Sequence, residues 1–372
     1  MIVGTPKELK DNERRVGMIP GAVHELVARG HQVLIEREAG LGAGLADEEY
    51  IAAGAEMVAS AEEIFARADI IVKVKEPLAV ERKRLRADQV LFTYLHLAPD
   101  AEQTQDLIQS NAICIAYETV TSARGALPLL TPMSEVAGRL APQVGARALE
   151  APAGGRGVLL GGVPGVAPAE VVILGGGVSG THAAIIALGM GADVTVLDRC
   201  ADVLKRVAVE FDGRVRTVFS NSANIAHYAA RADLLIGTVL IPGAAAPKLI
   251  TRAIVKSMKQ GSVIVDISID QGGCAETSRP TTHSNPTFVE HGVVHYCVTN
   301  MPGAVARTST FALNNVTLPF TLALADKGWK QAMRDDVHLA AGLNVAHGKV
   351  TCEPVAQAQL LVYVPVAEVI AA

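Results

Sequence analysis

Apolar runs alternate with amphipathic stretches over the first third of this 372-residue chain. Unbroken Val- and Ile-rich runs predict strands at residues 2–4, 32–36, 69–74, 90–94 and 112–116. Helical patterns lie between them, at 21–29, 61–68 and 101–110. Because strands buried on both faces read as continuous apolar runs, this alternation predicts an open parallel sheet covered by helices on both sides.

A second series of strands follows a Gly- and Pro-rich stretch at 153–167, which we interpret as a surface loop. Strands are predicted at 171–174, 194–197, 215–219, 234–236, 263–266 and 293–298, as in a six-stranded nucleotide-binding sheet. Before this series, Thr131 can cap a helix that has Pro132 at its first position and continues toward Glu150. From 304 onward, amphipathic helices through about 326 and at 330–342 replace the alternation, and we expect them to pack on the first domain.

Residues 168–198 read PAEVVILGGGVSGTHAAIIALGMGADVTVLD, a strand, a glycine turn, a helix and a second strand that ends in an acid. In this turn Gly175 permits the tight bend, Gly177 lets the backbone approach a pyrophosphate, and Gly180 allows close packing of helix on strand. Free amides at the helix N-terminus can bind the phosphates. A Gly-rich turn without a ligand is the alternative, but the surrounding elements favour a dinucleotide site.

The acid that ends this unit bears on which dinucleotide binds. Asp198 lies where a carboxylate can accept hydrogen bonds from the adenosine ribose. A 2′-phosphate would meet like charge there, which favours NAD over NADP, although the neighbouring Arg199 weakens that preference.

Composition and charge exclude several classes of protein. Half of the residues are hydrophobic and only 4% are aromatic, so the core must be aliphatic. The net charge of −5 comes from intermixed charges, without a basic stripe for nucleic acid or a membrane surface, so a small-molecule partner is expected. Five scattered cysteines lack metal-ligand spacing and suit reduced thiols in a cytoplasmic protein, and no metal site is predicted. We expect neither a signal peptide nor a membrane span.

Together these patterns predict an α/β fold of two Rossmann-like domains with doubly wound parallel sheets. Residues 130–304 would form a central NAD-binding domain. Residues 1–129 would form a substrate domain, to which 305–372 return. Because the chain would cross twice between the domains, we expect the active site in a cleft between them.

Four polar residues are candidates for the chemistry. Lys75 and His96 end predicted strands, at the edge where open α/β sheets bind ligands, and Asp270 lies just past the strand 263–266. Arg15 follows the charged segment 10–14. A histidine at a strand end suits proton transfer. The alternatives remain open at this stage: Arg15 and Lys75 as solvated surface charges, and Asp270 as a cap of its Gly-rich turn.

An ordered set of motifs resembles the alanine dehydrogenase family over nearly the whole chain. The segments are GTPKELKDNERRVGMIP, KVKEP, TYLHLA, LTPMSEVAGR, GGGVSGTHAA, VLIPGAAAPKLI, DISIDQGGCAETSRPTTHSNPTF and TNMPGAVARTSTFALNN. The run DISIDQGGCAETSRPTTH is the most distinctive. The wider superfamily includes the NAD-binding subunit of proton-translocating transhydrogenase and the lysine-forming saccharopine enzymes.

The resemblance implies reversible, NAD-dependent oxidative deamination of L-alanine to pyruvate and ammonia, by a cytoplasmic homohexamer active in amino-acid catabolism. It implies that Arg15 and Lys75 hold the substrate carboxylate and carbonyl oxygen, and that His96 and Asp270 are the acid/base pair. Besides the three fingerprint glycines, the residues implied to line the NAD groove are Ser134, Val178, Ser179, Asp198, Ser220, Val239, Leu240, Ile267, Ser268, Ile269, Asp270, Arg279, Val298, Thr299, Asn300 and Met301. Many family members carry a basic residue where this chain has Val203, which leaves one adenosine contact open.

Other functions remain possible on these residues. A transhydrogenase-type subunit would bind NAD(H) without amino-acid chemistry, often with an apolar C-terminal extension that this chain lacks after Tyr363, and a regulator would have lost its catalytic residues. The presence of all four candidates favours an enzyme over both. A pocket distinguishes one methylene by only about 1–3 kcal/mol, so 2-aminobutyrate, serine or another small amino acid is an alternative substrate.

Overall fold

The computed structural model describes residues 1–239 and 246–371. The chain divides into two compact units. The first comprises Met1–Met133 and Val305–Ala372, and the second comprises Ser134–Ala304. Each unit is built on one β-sheet, and each is considered by itself.

The elements are labelled in chain order. The strands are β1 (Ile2–Thr5), β2 (Gln32–Glu36), β3 (Glu56–Val58), β4 (Ile70–Val72), β5 (Val90–Thr93), β6 (Ile113–Ala116), β7 (Glu170–Leu174), β8 (Asp193–Asp198), β9 (Arg216–Phe219), β10 (Leu234–Gly237), β11 (Val263–Asp266), β12 (Thr287–Glu290), β13 (Val293–Tyr296), β14 (Leu343–Ala346) and β15 (Lys349–Val350). The helices are α1 (Pro20–Ala28), α2 (Asp47–Ala52), α3 (Ala61–Arg67), α4 (Ala79–Arg82), α5 (Ala101–Ser110), α6 (Thr131–Ala148), α7 (Val178–Gly189), α8 (Ala201–Glu210), α9 (Ser222–Arg231), α10 (Arg252–Ser257), α11 (Ala306–Lys327), α12 (Trp329–Asp335), α13 (Val337–Ala340), α14 (Glu353–Gln359) and α15 (Val366–Ala371).

The sheet of the first unit has the strand order β15-β14-β6-β5-β4-β1-β2-β3. Strands β1 to β6 are parallel, and their registers bring Val3 opposite Ile70 and Ile70 opposite Val90. The central strands β4, β5 and β6 are buried along their whole length, as their unbroken apolar sequences require. This order places the carboxyl ends of β1, β4 and β5 side by side.

The sheet of the second unit has the order β12-β13-β11-β10-β7-β8-β9. The chain runs outward from β7 through β8 to β9, and then returns to β10 on the other side of β7. In open α/β sheets, ligands bind outside the carboxyl ends of the strands at such a reversal. The core on one face is aliphatic and includes Leu235, Ile225 and Val255 from β10, α9 and α10.

The α/β class and the two Rossmann-like, mainly parallel sheets are confirmed, and each sheet also has antiparallel pairing at one edge. Strand β12 pairs antiparallel with β13, so the second sheet has seven strands within the described residues rather than six. In the first unit, β14 pairs antiparallel with β6, and β15 with β14. Strands β14 and β15 thus follow residue 304, where only helices were expected. The short edge strand β3 was also missed.

Two of these missed pairings share a local cause. A two-residue turn, His291-Gly292, joins β12 to β13, and a second, His347-Gly348, joins β14 to β15. All four turn residues have positive φ, between 50° and 77°. Positive φ at both central positions defines the type I′ hairpin turn, which matches the twist of paired strands. A His-Gly pair is a weaker signal of this turn than Asn-Gly, and neither hairpin was predicted.

The helices that follow residue 304 also differ in part from expectation. Helix α11 matches the first predicted segment, but the helix predicted at 330–342 is interrupted at Asp336. This residue has extended backbone, and its carboxylate accepts hydrogen bonds from the amides of His338 and Leu339 at the start of α13. Over residues 1–239 and 246–371, no helix combines the length and apolarity that a membrane span requires.

Candidate active site

Three of the four predicted reactive residues belong to one edge of the first sheet. Lys75 follows β4 and His96 follows β5. A Cβ atom on Gly17 would lie 2.4 Å from the carbonyl oxygen of Val72, so the loop that carries Arg15 passes directly over the end of β4. The structure thus brings Arg15, Lys75 and His96 to the carboxyl ends of adjacent parallel strands.

Arg15 is a buried, paired cation and not the solvated surface charge that composition allowed. Its side chain is 2% exposed. The guanidinium Nε and Nη2 atoms donate to the two carboxylate oxygens of Glu13 at 2.7 and 2.6 Å. Nη1 lies 3.1 Å from the sulfur of Met133. Burial by itself would lower the pKa of Arg15, but the hydrogen bonds and charge of Glu13 outweigh it and raise that pKa. Glu13 was not predicted as its partner.

A buried ion cluster lies at the end of β4, immediately before Lys75. The ammonium of Lys73 is fully buried, 3.1 Å from Glu8 Oε2 and 2.7 Å from Glu81 Oε1. Burial raises the pKa of Glu8 above its ordinary value, and the charge of Lys73 opposes this rise. Lys73, which sequence reasoning passed over in favour of Lys75, therefore has a structural role in this cluster.

The main chain at Lys75 is held from two sides. Glu8 Oε1 accepts hydrogen bonds from the amides of Val74, at 2.7 Å, and Lys75, at 3.3 Å. The carbonyl oxygen of Lys75 accepts a bond from Thr93 Oγ1 at 3.0 Å. The Lys75 side chain is 14% exposed, with its ammonium 4.0 Å from a carboxylate oxygen of Glu76. Lys75 thus presents a partly buried positive charge from a fixed backbone.

His96 presents its imidazole from a left-handed turn, with φ of 50°. Its side chain is 47% exposed. One face of the ring stacks on Tyr94, with the centroids 5.7 Å apart and the planes 3° from parallel. The hydroxyl of Tyr94 donates to the carbonyl oxygen of Leu129 at 2.5 Å. Burial raises the pKa of Tyr94, and the nearby charge of Arg15 partly opposes this rise. The phenol therefore stays protonated where it stacks against the His96 ring.

In the second unit, the three fingerprint glycines occupy three different environments. Gly175 has φ of 103°, which favours glycine. A Cβ on Gly180 would lie 1.8 Å from the carbonyl oxygen of Gly175, so only glycine permits α7 to pack there. Around a Cβ on Gly177, the described structure has no heavy atom within 4 Å. Gly177 therefore leaves its backbone at the N-terminus of α7 open to a ligand, as a bound pyrophosphate requires.

Asp198 ends β8 beside the glycine turn. One carboxylate oxygen accepts from the amide of Gly176 at 2.8 Å, and the other accepts from the amide of Cys200 at 2.8 Å. Each oxygen of a carboxylate has a second lone pair, so ribose hydroxyls can still donate to it. The dinucleotide fits this arrangement.

Val203 lies beside the glycine turn of the second unit. A Cβ on Gly176 would lie 2.6 Å from a methyl group of Val203, so this valine packs close to the glycine turn. Arg206, one turn further along α8, donates to the carbonyl oxygen of Gly176 at 2.5 Å. In this chain a cation therefore contacts the turn from position 206, and position 203 is apolar.

Asp270 lies in a short 3-10 helix, Ile267–Gln271, that follows β11. Asp266, not Asp270, caps this turn, which removes the capping alternative. The Asp266 side chain is fully buried and accepts from the amides of Ser268 and Cys274 at 3.1 and 2.8 Å. Ser278 Oγ donates to it at 2.6 Å. The loop thus folds around one buried carboxylate, while Asp270 is exposed.

The other residues predicted to bind the cofactor mostly follow strand ends of the second sheet. The amide of Ser220 donates to the carbonyl oxygen of Asp198 at 2.9 Å, and the carbonyl oxygen of Val239 accepts from Ser268 Oγ at 2.7 Å. Positions 298–301 follow β13, with Asn300 in a left-handed conformation at φ of 60°. Leu240 lies outside the described residues.

Two further contacts involve residues that were predicted to line the NAD groove. Ser179 Oγ donates to the carbonyl oxygen of Ser134 at 3.0 Å, which ties α6 to the first turn of α7. The guanidinium of Arg279 lies 4.0 Å above the ring centre of Phe288. In the part of the chain that the structure describes, no three His, Cys, Asp or Glu side chains are grouped to hold a metal ion.

Comparisons with known proteins extend over the whole chain. The family model described as alanine dehydrogenase/PNT, N-terminal domain, matches residues 4–137, and the model of the C-terminal domain matches residues 141–353. A protein named alanine dehydrogenase from Halomonas elongata is 56% identical over 370 residues, which cover 100% of both chains. One of the same name from Bacillus subtilis is 55% identical over 366 residues, covering 98% of this chain and 96% of that one.

Solved structures show the same order of similarity. An L-alanine dehydrogenase superposes with a TM-score of 0.93 at 53% identity, covering 96% of this chain and 99% of that one. A transhydrogenase from Sinorhizobium meliloti superposes with a TM-score of 0.81 at 27% identity, covering 95% and 99%. The chain is therefore more similar to the former than to the latter in both sequence and structure.

Proposed function

The chain belongs to the alanine dehydrogenase/PNT family, and on that premise we propose that it is an NAD-dependent L-alanine dehydrogenase. It interconverts L-alanine with pyruvate and ammonia. The observation that carries this proposal is full-length identity of 55 to 57% to proteins named alanine dehydrogenase. The transhydrogenase alternative has lower support, at 27% identity.

The second unit supplies the cofactor site in this proposal. When bound, NAD⁺ accepts a hydride from the α-carbon of alanine. The open backbone at Gly177 and the amides of the first turn of α7 hold the pyrophosphate. Asp198 accepts hydrogen bonds from the adenosine ribose and disfavours a 2′-phosphate by its charge.

The first unit supplies the substrate site. Arg15 holds the substrate carboxylate, since a planar guanidinium binds carboxylates with both charge and orientation. Its buried pairing with Glu13 fixes the guanidinium plane in advance. Lys75 provides a positive charge near the oxygen that develops at the α-carbon, which stabilises that oxygen electrostatically.

His96 and Asp270 form the proposed acid/base pair. Oxidation requires a neutral amine, and loss of hydride then leaves an iminium that water attacks to form a carbinolamine. Collapse of the carbinolamine breaks the C–N bond and releases ammonia and pyruvate. We assign to His96 the removal of a proton from that water and the exchange of a proton with the new oxygen. Asp270 orients the water and stabilises the iminium charge. Acid–base assistance of this kind contributes about 10²- to 10⁴-fold in rate.

Three finer properties are part of the proposal. We propose a homohexamer, on the family resemblance, which light scattering after size exclusion tests. The five cysteines, all free, support a cytoplasmic location. We also propose a role in amino-acid catabolism, because oxidation of alanine would release pyruvate and ammonia.

The decisive assay is oxidation of NADH by pyruvate plus ammonium, followed at 340 nm. Activity should disappear when ammonium is omitted, and NADPH should be a poor substitute. A panel of 2-oxo acids then defines the substrate range. Activity that persists without ammonium would show a hydroxy-acid dehydrogenase, and absence of activity with every oxo acid would remove the proposed function.

Single substitutions test the assigned roles within that function. His96→Ala and Asp270→Asn should each collapse turnover and leave NADH binding nearly intact, because neither change removes a contact with the pyrophosphate. Near-normal turnover in either variant would remove that residue from the acid/base pair.

A further inference from the structure

Glu118 is a charged residue that the proposed reaction does not yet use. It lies in the short 3-10 helix Tyr117–Thr119, directly after β6. Strand β6 pairs in parallel with β5, and Thr93 is opposite Ala116. The register therefore places Glu118 beside the residues that follow β5, among them His96. The Glu118 side chain is only 14% exposed.

The carboxylate of Glu118 holds the backbone of the turn that presents His96. Its Oε1 accepts the amide of His96 at 2.6 Å, and both oxygens lie 3.3 Å from the amide of Leu95. The buried side chain of Gln103 donates to the carbonyl oxygen of Leu95 at 2.6 Å. The turn is thus held at its amides by a carboxylate and at its carbonyl by an amide side chain.

These hydrogen bonds matter because His96 adopts a left-handed backbone conformation that non-glycine residues avoid. Its φ of 50° carries a cost of order 1 kcal/mol, which neighbouring contacts must offset. Strained backbone of this kind recurs at functional sites, where it aims a side chain. The hydrogen bond from the amide of His96 to Glu118 stabilises this conformation of the turn, and the turn directs the imidazole.

Glu118 also places negative charge beside one nitrogen of the ring. His96 Nδ1 lies 3.8 Å from Glu118 Oε1, within ion-pair distance and longer than a hydrogen bond. Contacts between catalytic groups commonly shorten when substrate binds. A carboxylate at Nδ1 fixes the tautomer of an imidazole and leaves Nε2 for proton transfer. The stacked ring of Tyr94 restricts rotation of the imidazole.

From these contacts we propose that Glu118 is the positioning residue of His96, which it orients through the left-handed turn and through Nδ1. The inference rests on the proposed function and on the role of His96 within it. Glu118 need not touch substrate or cofactor to act in this way.

A double-mutant cycle on turnover tests the proposal. In Glu118→Gln the carboxamide oxygen can still accept the main-chain amides, but the charge beside Nδ1 is lost. We expect kcat for pyruvate plus ammonium to fall about 10- to 100-fold, with the NADH Kd and the urea midpoint of unfolding nearly unchanged. In a His96→Gln background, the same substitution should change the residual kcat less than twofold, because its effect passes through the imidazole.

The controls separate this proposal from the function on which it rests. Glu102→Gln changes an exposed carboxylate on α5 and should leave kcat unchanged. Wild-type protein without pyruvate- and ammonium-dependent activity would remove the function itself. With an active wild type, full kcat in Glu118→Gln would overturn the role of Glu118, and so would losses of kcat from the two substitutions that multiply independently in the double variant. Near-normal kcat in His96→Gln would overturn the roles of both residues.

A structure of the wild-type protein with NADH and pyruvate provides a test that does not depend on folding of a variant. We expect the distance from Nδ1 to the nearer Glu118 oxygen to shorten to hydrogen-bond length, about 2.7–3.2 Å. A rotated imidazole, with Nδ1 more than about 4 Å from that carboxylate, would contradict the proposal.

Discussion

The same glycine-to-alanine change should weaken NADH binding at the N-terminal end of α7 and leave it unchanged at the C-terminal end. Gly177 is the N-cap residue of this helix, with φ of −68°, which alanine tolerates. Gly189 is the last residue of the helix. At each position the described structure has no heavy atom within 4 Å of an added Cβ. Neither substitution therefore meets steric resistance from the protein, and only the methyl group at 177 enters the space proposed for the phosphates.

The expected magnitudes follow from local energetics. Alanine is a poorer N-cap than glycine, so Gly177→Ala should destabilise the protein by at most about 1 kcal/mol. Gly189→Ala should stabilise it by about 0.5–1 kcal/mol, the difference in helix propensity. If the methyl group at 177 displaces one hydrogen bond between an amide and a phosphate, the loss is about 1.5–3 kcal/mol. That corresponds to an increase of about 10- to 100-fold in the NADH Kd.

Binding and stability are measured separately in this experiment. NADH fluorescence or calorimetric titration reports the Kd of the wild type and both variants, and urea unfolding reports stability. We expect a weaker Kd only in Gly177→Ala, with both proteins folded. If Gly177→Ala binds NADH as tightly as Gly189→Ala does, the pyrophosphate does not approach the backbone at 177 and the assignment of this turn is wrong.

Three further predictions concern buried groups. Gly180→Ala should lower both stability, by about 1–3 kcal/mol in urea unfolding, and NADH affinity, because its Cβ would lie 1.8 Å from the Gly175 carbonyl oxygen; unchanged unfolding would refute this packing. Lys73→Met should lower the free energy of unfolding by about 3–5 kcal/mol, because it leaves two buried carboxylates without their cation. Lys7→Met, at an exposed ion pair, should lower it by less than about 1 kcal/mol. Equal losses in the two variants would contradict the role of the buried cluster. Burial lowers the pKa of His295 below 6.5, so unfolding takes up a proton as pH falls below that value. Wild-type stability should therefore fall more steeply than that of His295→Gln, by up to about 1.4 kcal/mol per pH unit. If the urea midpoints of the two proteins change in parallel from pH 7 to 5, this prediction is wrong.

The hydrogen bonds of His295 support the direction of that pH effect. The ring is fully buried, and Nδ1 lies 2.9 Å from the carbonyl oxygen of Val293, which can only accept. Nδ1 therefore carries the hydrogen, and in the neutral ring Nε2 accepts from Thr277 Oγ1 at 2.8 Å. Protonation of Nε2 would remove the acceptor for that hydroxyl, which is a second reason for the neutral form.

Missed residues near the candidate site were charged groups that act on the backbone. Glu118 lies at the carboxyl end of β6 in the first sheet, as His96 lies at that of β5, and Asp266 lies at the carboxyl end of β11 in the second sheet, just before Asp270. The rule that ligands bind at the carboxyl ends of parallel strands applies equally to these two residues, but it does not distinguish buried carboxylates from exposed ones. Asp266 accepts three hydrogen bonds from its own loop at 3.1 Å or less, which only the folded loop provides.

Local patterns in the sequence determined the elements and the nucleotide turn. Continuous aliphatic runs predicted most strands because burial on both faces leaves no position for polar residues. The conformations of Gly175, Gly177 and Gly180 were predictable because they depend on backbone sterics within a few residues. Short edge strands were missed, since β3, β12, β14 and β15 are held by pairing and His-Gly turns more than by their own apolar character.

Only the tertiary structure decided which charges are buried and with whom they pair. Arg15 and Lys75 look alike in the sequence as polar residues near predicted strands, yet the first is 2% exposed against Glu13 and the second is partly buried with its backbone held by Glu8. The energy of a charge depends on its distance to other charges and to water, and these distances are set by contacts between residues far apart in the chain. The sequence alone thus determined where chemistry was expected, and the fold determined which of those side chains are buried and which partners hold them.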